Sequence, residues 1–393
     1  MLFVYNAYLN RGGEDEVFEA EADLFEEHGH TVTRFRVEAD ILSDPSFFEL
    51  PKLAIGAVWS QEYYKRFRQM VRDIRPDVVH FHNTFPLISP AAYVACKKEG
   101  AAVVQTLHNY RLLCPESNFF RDGHPCEDCK GRAVTWPGIL HACYHDSRLE
   151  TSVITTMLSV HRLRGTWRND IDLYITPSEF SRQKFVEGGV PPDRIVVKPN
   201  FLHFREGEPK TAGDFILFVG RLSEQKGLKT IFRAWNEHKL QAPLRIVGDG
   251  PMLAEVKQFA QEHPSVTYLG RLPRDQVLSE MRSARAFLFA SNAYETFGTT
   301  VVEAFSNSLP VIASDAGPAG REMVEHGRSG LVFSAGNSGQ LAKRIQWAWS
   351  HPEEMGKMGA QGRREYDAKY TPDKNYDRLL TLYLRALETS TAH

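Results

Sequence analysis

The chain has 393 residues, which is enough for two domains of ordinary size. Hydrophobic residues make up 42% and charged residues 24%, as in soluble globular proteins. The formal net charge of −2 gives no basic field, which argues against a nucleic-acid partner. No apolar run is long enough to cross a bilayer, and Met1 leads directly into apolar residues without a signal peptide. We therefore expect a cytoplasmic protein.

Short apolar runs alternate with amphipathic stretches along the first half, a pattern typical of parallel α/β units. This pattern predicts strands at 2–6, 78–82, 103–107, 171–176 and 194–198, and helices at 12–27, 90–99 and 178–187. Residues 109–147 interrupt the alternation, because they are loop-like and rich in cysteine, histidine and proline. We interpret that stretch as an irregular insertion in a first domain that spans residues 1–200.

Residues 201–213 are polar and short of apolar side chains, so we interpret them as a linker. The alternation then starts afresh in a second domain, 214–370, with strands at 215–219, 244–247, 266–269, 286–289 and 311–313. The stretch 340–387 is helical by its periodicity. We expect an α/β protein of two similar Rossmann-like domains that face each other across a ligand-binding cleft at the carboxyl ends of their strands.

The segment from Glu295 to Glu303 is the most informative part of the second half. It follows a predicted strand, and it places Gly298 and Thr299 at the start of an apolar helix. A helix N-terminus offers backbone N–H groups and a favourable dipole to a diphosphate. The two glutamates repel phosphate, but they can accept hydrogen bonds from sugar and ribose hydroxyls. The alternative is an ordinary helix with a solvated acidic residue at each end.

Two cations precede this segment at the end of another predicted strand. Arg221 and Lys226 lie in the loop after residues 215–219, where they suit the two phosphates of a nucleotide diphosphate. Taken alone, they would more often be solvated surface charges. A strand followed by a tight glycine turn comes next, at Val247–Pro251.

These motifs together resemble the family-4 retaining glycosyltransferases, group 1 type, which have the GT-B fold. The resemblance rests on Gly220–Gly227, Val247–Pro251, the pair Glu295 and Glu303, and the glycine-bounded stretch Gly317–Gly330. It covers the second half almost completely. It also implies that the C-terminal segment, residues 371–393, forms a helix that packs back on the first domain.

The resemblance assigns a role to each of these residues. Glu303 is expected to bind the nucleotide ribose, and Glu295 to hold hydroxyls of the donor sugar. Arg221 and Lys226 are expected to clamp the diphosphate, with backbone donors from Gly298 and Thr299. The base would lie against the loop that contains Arg271 and Leu272.

The first half contributes two further candidates. Gly13 follows the first strand and resembles the family's glycine loop near the donor phosphate and the acceptor, although a plain turn before a helix is an equal alternative. His108 ends the strand 103–107, and the resemblance places it beside the donor sugar. Asn109 stands where many relatives carry an acid, which removes one candidate proton acceptor.

The resemblance implies retention of anomeric configuration by front-face displacement. Glu295, Arg221, Lys226 and His108 are the predicted catalytic residues. Because two cations and a helix N-terminus can stabilise the leaving diphosphate, we expect neither an organic cofactor nor a catalytic metal.

The irregular stretch 109–147 holds four of the five cysteines: Cys114, Cys126, Cys129 and Cys143. The spacing of Cys126 and Cys129 suits two thiolates on one ion, so we predict a structural zinc site. Free buried cysteines are the alternative. A disulfide is the other alternative, which a reducing compartment disfavours.

The expected donor is a nucleotide-diphosphate sugar, first of all a UDP-sugar, and the expected acceptor is a glycan or a lipid-linked molecule, as in polysaccharide biosynthesis. Basic and aromatic residues at 64–72 and 161–168 suggest transient contact with the inner face of the plasma membrane, or else solvated helix faces. Alternatives of other classes are an epimerase or phosphorylase of the same fold, an inactive nucleotide-sugar-binding protein and, most remotely, a zinc-finger nucleic-acid binder.

Overall fold

The computed structural model describes residues 1–8, 12–38, 50–202 and 213–391. The chain divides into two compact units. Unit 1 comprises Met1–Phe119, Glu127–Pro199 and Asn375–His393, and unit 2 comprises Phe120–Cys126 and Asn200–Lys374. Residues 203–212 of the predicted linker 201–213 lie outside the described ranges.

The strands of the first half are β1 (Leu2–Asn6), β2 (Thr33–Val37), β3 (Val78–Asn83), β4 (Ala102–Thr106), β5 (Phe120–Arg121), β6 (His124–Pro125), β7 (Leu173–Thr176) and β8 (Ile195–Val197). Strands β5 and β6 form an antiparallel hairpin. The other six form one sheet of parallel strands in the order β2-β1-β3-β4-β7-β8. Strands β1, β3, β4 and β7 are buried at every position, because helices cover both faces of such a sheet. The edge strand β2 is half-buried and polar, which is why its apolar pattern was too weak to predict.

The helices of unit 1 are α1 (Gly13–Glu27), α2 (Leu50–Val58), α3 (Gln61–Ile74), α4 (Ala91–Lys98), α5 (Trp136–Leu140), α6 (Arg148–Arg164), α7 (Thr166–Asn169) and α8 (Glu179–Glu187). Three of them begin at a serine whose hydroxyl accepts a backbone N–H, namely Ser60, Ser147 and Ser178. The stretch 109–147, predicted to be irregular, contains the hairpin and α5.

Unit 2 repeats this construction. Its strands are β9 (Ile216–Val219), β10 (Leu244–Val247), β11 (Val266–Gly270), β12 (Ala286–Phe289), β13 (Val311–Ser314) and β14 (Gly330–Phe333). They form a parallel sheet in the order β11-β10-β9-β12-β13-β14. Its helices are α9 (Leu228–His238), α10 (Leu253–Glu262), α11 (Arg274–Ser283), α12 (Thr299–Ser306), α13 (Ser338–Ser350) and α14 (Pro352–Lys369). Five of these six strands were predicted, and β14 was missed.

The last helix, α15 (Pro372–Thr391), belongs mostly to unit 1. Its Leu379, Tyr383 and Ala386 are buried in the same core as Phe3 and Phe25. The long helical stretch predicted at 340–387 is thus three helices, divided before two prolines, Pro352 and Pro372. None of the helices in the described ranges combines the length and hydropathy that a membrane span requires.

Candidate active site

The loops after β9 and β12 meet because these strands are neighbours in the sheet of unit 2. Gly227 has a φ of 78°, and a Cβ atom there would lie 1.9 Å from the carbonyl oxygen of Ala290. Only glycine fits this contact. The Asn292 N–H donates to the Gln225 carbonyl oxygen at 2.8 Å and joins the two loops further. The local backbone therefore fixes the residues just before Gly227 against the loop after β12.

This contact brings Lys226 and Glu295 together. Lys226 Nζ lies 2.6 Å from Glu295 Oε1, which also accepts a hydrogen bond from Ser291 Oγ at 2.9 Å. The exposed fractions of the two side chains are 30% and 23%. A partly exposed ammonium held by a carboxylate can still contact an incoming anion. Two residues that lie 69 positions apart in the sequence thus form one charged site.

Neighbouring loops pack against the same region. A Cβ atom at Gly317, in the loop after β13, would lie 3.2 Å from the backbone nitrogen of Glu295. Arg221 is exposed in the loop after β9. Arg271, which is exposed, and Leu272, which is half-buried, follow β11 at the edge of the sheet. These predicted donor-binding residues therefore lie at the carboxyl ends of parallel strands, where α/β proteins bind ligands.

Helix α12 begins directly after this loop. Its N-cap is Gly298, which has no side chain to cap the helix, and Thr299 is the first helical residue. Backbone N–H groups in the first turn have no intrahelical acceptor, so an anion is favoured there. Glu303 lies further along α12 with 13% of its side chain exposed, and its Oε1 is 3.6 Å from Arg274 Nη2.

The first turn of α1 has the opposite electrostatics. It contains Glu14, Asp15 and Glu16, and the N–H of Gly12 already donates to Asp15 Oδ2 at 2.9 Å. A phosphate at this helix N-terminus would meet the carboxylates of Asp15 and Glu16 and the acid side chain of Glu14. This charge opposes the phosphate contact predicted for Gly13.

In unit 1, His108 lies just beyond β4 and is half-buried. Its Nε2 is 2.9 Å from Nδ1 of His82, and the two rings stack with centroids 5.1 Å apart. Burial first, and the charge of Lys198 second, lower the pKa of His108 to about 3. The imidazole is therefore neutral at physiological pH, suited to accept or donate a hydrogen bond rather than to carry charge.

Behind His82 lies a buried charged pair that the sequence did not suggest. Lys198 Nζ is 2.5 Å from Glu21 Oε1, and Glu21 Oε2 is 3.7 Å from Nε2 of His82. All three side chains are buried. Two histidines at alternate positions of the buried strand β3, His80 and His82, were the available signal, because alternate residues share a face of a sheet.

A second carboxylate lies close to Asn109. Glu14 Oε1 accepts a hydrogen bond from Asn109 Nδ2 at 2.9 Å, and Glu14 Oε2 is shielded from solvent with no hydrogen-bond partner among the described residues. Burial raises the pKa of Glu14 to about 7, against the lowering effects of Asn109 and Arg111. The amide of Asn109 thus holds an acid from α1.

No disulfide joins the four cysteines of the insertion. Among the described residues, one group of three side chains brings possible metal-ligand atoms within 4.8 Å of one another, and that group is Glu21, His80 and His82. Cys114, Cys126, Cys129 and Cys143 form no such group, and Cys129 Sγ lies 3.8 Å from the carbonyl oxygen of Thr135. The structural zinc site stays a prediction, and metal analysis of the purified protein will test it.

Two family models match adjacent parts of the chain. One, described as "Glycosyl transferase 4-like domain", matches residues 19–200. The other, described as "Glycosyl transferases group 1", matches residues 201–365 and so contains Lys226, Glu295 and Glu303.

Curated proteins are similar to this chain either over about half of its length or at lower sequence identity. O-antigen chain mannosyltransferase C of Escherichia coli is 30% identical over 193 residues, 48% of this chain and 50% of that protein. Alpha-monoglucosyldiacylglycerol synthase of Acholeplasma laidlawii is 24% identical over 335 residues, 83% of this chain and 79% of that protein. The first of these matches thus spans only half the length of its relative.

Solved structures share the architecture. The structure of Anabaena Alr3699/HepE in complex with UDP is similar with a TM-score of 0.66 and 19% identity, over 97% of this chain and 98% of that chain. The predicted fold class, an α/β chain of two Rossmann-like domains of the GT-B type, is confirmed. The chain belongs to the group 1 glycosyltransferases with a glycosyltransferase 4-like first domain.

Proposed function

We propose that this protein transfers a sugar from a nucleotide-diphosphate sugar to an acceptor hydroxyl. The contact between Lys226 and Glu295 carries the proposal, because it joins a cation for phosphate to an acceptor for sugar hydroxyls at the carboxyl edge of one sheet. The family models and the names of the relatives support the same chemistry.

Each residue has a defined part in the proposed reaction. Lys226, Arg221 and the N-terminus of α12 stabilise the negative charge that builds on the leaving diphosphate. Glu295 accepts hydrogen bonds from the donor sugar, and Glu303 does so from the ribose. His108, neutral at physiological pH, contacts a substrate hydroxyl. Neither an organic cofactor nor a catalytic metal has a part in this scheme.

We further propose retention of anomeric configuration. The carboxylate found near Asn109, Glu14, has a pKa raised to about 7 by burial, so much of it is protonated at neutral pH. Retention through a covalent glycosyl-enzyme would require an ionised carboxylate as nucleophile, and Glu14 with this pKa is only partly ionised at neutral pH. Departure of the diphosphate and attack of the acceptor on one face of the sugar would give retention without that intermediate.

A UDP-sugar is the first donor to test, since Anabaena Alr3699/HepE has been solved with UDP and with UDP-glucose. The relatives' names point to two acceptor classes: a growing polysaccharide chain and a diacylglycerol lipid. We propose that the acceptor is a glycan or a lipid-linked molecule presented at the inner face of the plasma membrane.

The test is an assay of nucleotide release from UDP-, GDP-, ADP- and dTDP-sugars, with and without oligosaccharide or lipid acceptors. We expect release from one nucleotide class that depends on acceptor, with an α-linked product from an α-linked donor by NMR. Release of free epimerised sugar, or phosphorolysis without transfer, would instead identify an epimerase or a phosphorylase.

A further inference from the structure

Three helices of unit 1 pack together and carry most of the exposed large apolar side chains. Helix α6 packs against α2 on one side and α5 on another. His161 Nε2 of α6 contacts the carbonyl oxygen of Val58 at 2.8 Å, and the hydroxyls of Thr155 and Thr135 lie 2.9 Å apart. These contacts hold α2, α5 and α6 together, and the exposed residues within 50–58 and 132–168 are here called the three-helix face.

This face is unusually apolar. Of the ten large hydrophobic side chains that are exposed in the described part of the chain, eight lie on it: Leu50, Ile55, Val134, Trp136, Leu140, Leu149, Val160 and Leu163. Leu163 and Leu149 are 87% and 77% exposed, and Ile55 is 70% exposed. Such a concentration marks an interaction surface, since scattered single residues would not need explanation.

The same face carries excess positive charge on a chain whose net charge is −2. Its exposed basic residues are Lys52, Arg132, Arg148, Arg164 and Arg168, against the exposed acids Asp146 and Glu150. Arg132 lies over the ring of Trp136 at 5.4 Å, and Arg164 over the ring of Trp59 at 4.9 Å. Arginine and tryptophan side chains therefore occur in the same segments as the exposed leucine and isoleucine residues.

We propose that the three-helix face docks on an anionic lipid bilayer. Leucine, isoleucine and tryptophan side chains enter the boundary between headgroups and acyl chains, while the arginines contact lipid phosphates. A second copy of this chain fits less well, because a two-fold contact would place both sets of arginines opposite each other. The basic stretch 64–72, on α3, is less available, since Arg68 and Arg72 pair with Glu99.

The test is co-sedimentation of the full chain with vesicles of phosphatidylcholine alone or mixed with phosphatidylglycerol. We expect binding to the mixed vesicles that weakens with salt. The double variant Leu149→Ser/Leu163→Ser should reduce binding about a hundredfold, by about a factor of ten for each leucine removed from lipid. The matched control is Leu384→Ser on α15, where Leu384 is also exposed and should not matter.

Three results would overturn this proposal. One is wild-type protein that stays in the supernatant with both vesicle types, and another is an equal loss of binding in the Leu384 control. The third is a dimer in analytical ultracentrifugation that the double variant abolishes while vesicles bind neither protein. Vesicle binding requires no donor or acceptor, so its outcome is independent of the proposed transferase activity.

A separate observation concerns the buried contacts behind His108. Glu21 is paired with the Lys198 ammonium, so its carboxylate can only accept hydrogen bonds. The facing atoms Glu21 Oε2 and His82 Nε2 lie 3.7 Å apart, beyond hydrogen-bonding distance, and both are buried without a hydrogen-bond partner among the described residues. An N–H group at His82 Nε2 is attracted by the Glu21 carboxylate, whereas a lone pair there would be repelled, so the proton of His82 is placed on Nε2, which leaves Nδ1 as an acceptor.

We infer that Glu21 is a positioning residue that sets the tautomer of His108. Because His82 Nδ1 accepts, Nε2–H of His108 must donate to it across 2.9 Å, and His108 Nδ1 keeps its lone pair. A metal ion at Glu21, His80 and His82 is disfavoured, because Lys198 repels a cation and both nitrogens of His80 are engaged, with Tyr383 Oη and Thr106 Oγ1 at 2.7 Å.

The test is ¹⁵N NMR of the His108 ring, which reports the tautomer without any substrate. We expect protonated Nε2 and unprotonated Nδ1. Since Glu21→Gln alone would leave Lys198 buried and unpaired, the informative variant is Glu21→Met/Lys198→Met, which removes both charges. It should give a mixture of tautomers and lower kcat about tenfold, with the donor KM unchanged.

A proton on Nδ1 in the wild type would overturn the inference, as would an unchanged tautomer in the double variant. The effect on kcat rests on the proposed function, whereas the tautomer does not. If no activity is found but the tautomer shifts as expected, the transferase proposal fails and the positioning role of Glu21 stands.

Discussion

Each unit contains an ion pair between a lysine and a glutamate. The two N–O distances are nearly the same, but the surroundings of the two pairs are very different. Lys226 and Glu295 in unit 2 are 2.6 Å apart and partly exposed. Lys198 and Glu21 in unit 1 are 2.5 Å apart and buried, with 1% and 0% of their side chains exposed. The distance alone thus does not indicate what either pair does.

Solvent access makes the difference. Near the surface, a lysine can exchange or share its carboxylate at little cost, so Lys226 is available to a phosphate. In the interior, loss of either partner leaves an uncompensated charge in a medium that solvates it poorly. We therefore expect the exposed pair to matter for activity and the buried pair to matter first for stability, and the following predictions test that contrast.

The largest effect is expected for Lys198→Met. It leaves the Glu21 carboxylate buried without its cation, which should lower the free energy of unfolding by about 3–5 kcal/mol. Urea unfolding measures this, with Glu21→Met/Lys198→Met as the matched variant that should recover most of the loss. If Lys198→Met loses less than about 1 kcal/mol of unfolding free energy, the loss falls within the range of exposed ion pairs. That result would contradict the expected contrast between the buried and the exposed pair.

For Lys226→Ala we expect a large loss of activity with little loss of stability. Its free energy of unfolding should change by less than about 1 kcal/mol, because the pair is partly exposed. Its kcat should fall by about 10²–10³, because a cation at the leaving diphosphate is lost. Lys229→Ala is the control, since Lys229 is a nearby exposed lysine that pairs with Glu224. Equal losses of activity in both variants would remove the assigned role of Lys226.

A smaller effect concerns pH and His108. Its pKa is lowered to about 3 in the folded chain, so only the unfolded chain takes up this proton as the pH falls below 6.5. Stability from this group is therefore present above pH 6.5 and is lost on acidification, by at most about 1.4 kcal/mol per pH unit.

Protonation of Glu14 has the opposite effect on stability, because its raised pKa makes the folded chain bind this proton at higher pH than the unfolded chain does. The measurement is therefore the difference in urea unfolding between the wild type and His108→Gln at pH 7 and pH 5. The variant should lose less stability on acidification than the wild type. Parallel pH profiles would show that His108 is not held neutral.

The smallest effect is expected for Glu303. Glu303→Gln keeps the shape but weakens hydrogen bonds to ribose hydroxyls, so donor affinity should fall about tenfold with little change in kcat. Arg274→Ala is the control, because Arg274 is exposed and only 3.6 Å from Glu303. Titration calorimetry with the preferred nucleotide sugar measures both, and a larger loss for Arg274→Ala would assign the contact to the arginine.

The two pairs also differ in how far the sequence predicts them. Lys226 and Glu295 lie in loops beside strands with clear apolar patterns, so strand neighbours and motif order place them at one edge. Glu21 and Lys198 are 177 positions apart, on a helix and beyond an edge strand, and nothing local marks either as buried. Their contact follows from tertiary packing, which periodicity does not encode. Glu14 on α1 was missed for the same reason, because its contact with Asn109 also depends on tertiary packing.

The most direct test of the donor site is calorimetric titration of wild type, Lys226→Ala and Glu303→Ala with UDP-, GDP-, ADP- and dTDP-sugars. The account predicts selective binding of one nucleotide class by the wild type and weaker binding by both variants, with unchanged unfolding curves. Absence of binding to every nucleotide sugar, or undiminished binding in both variants, would contradict the assignment of the active site to unit 2.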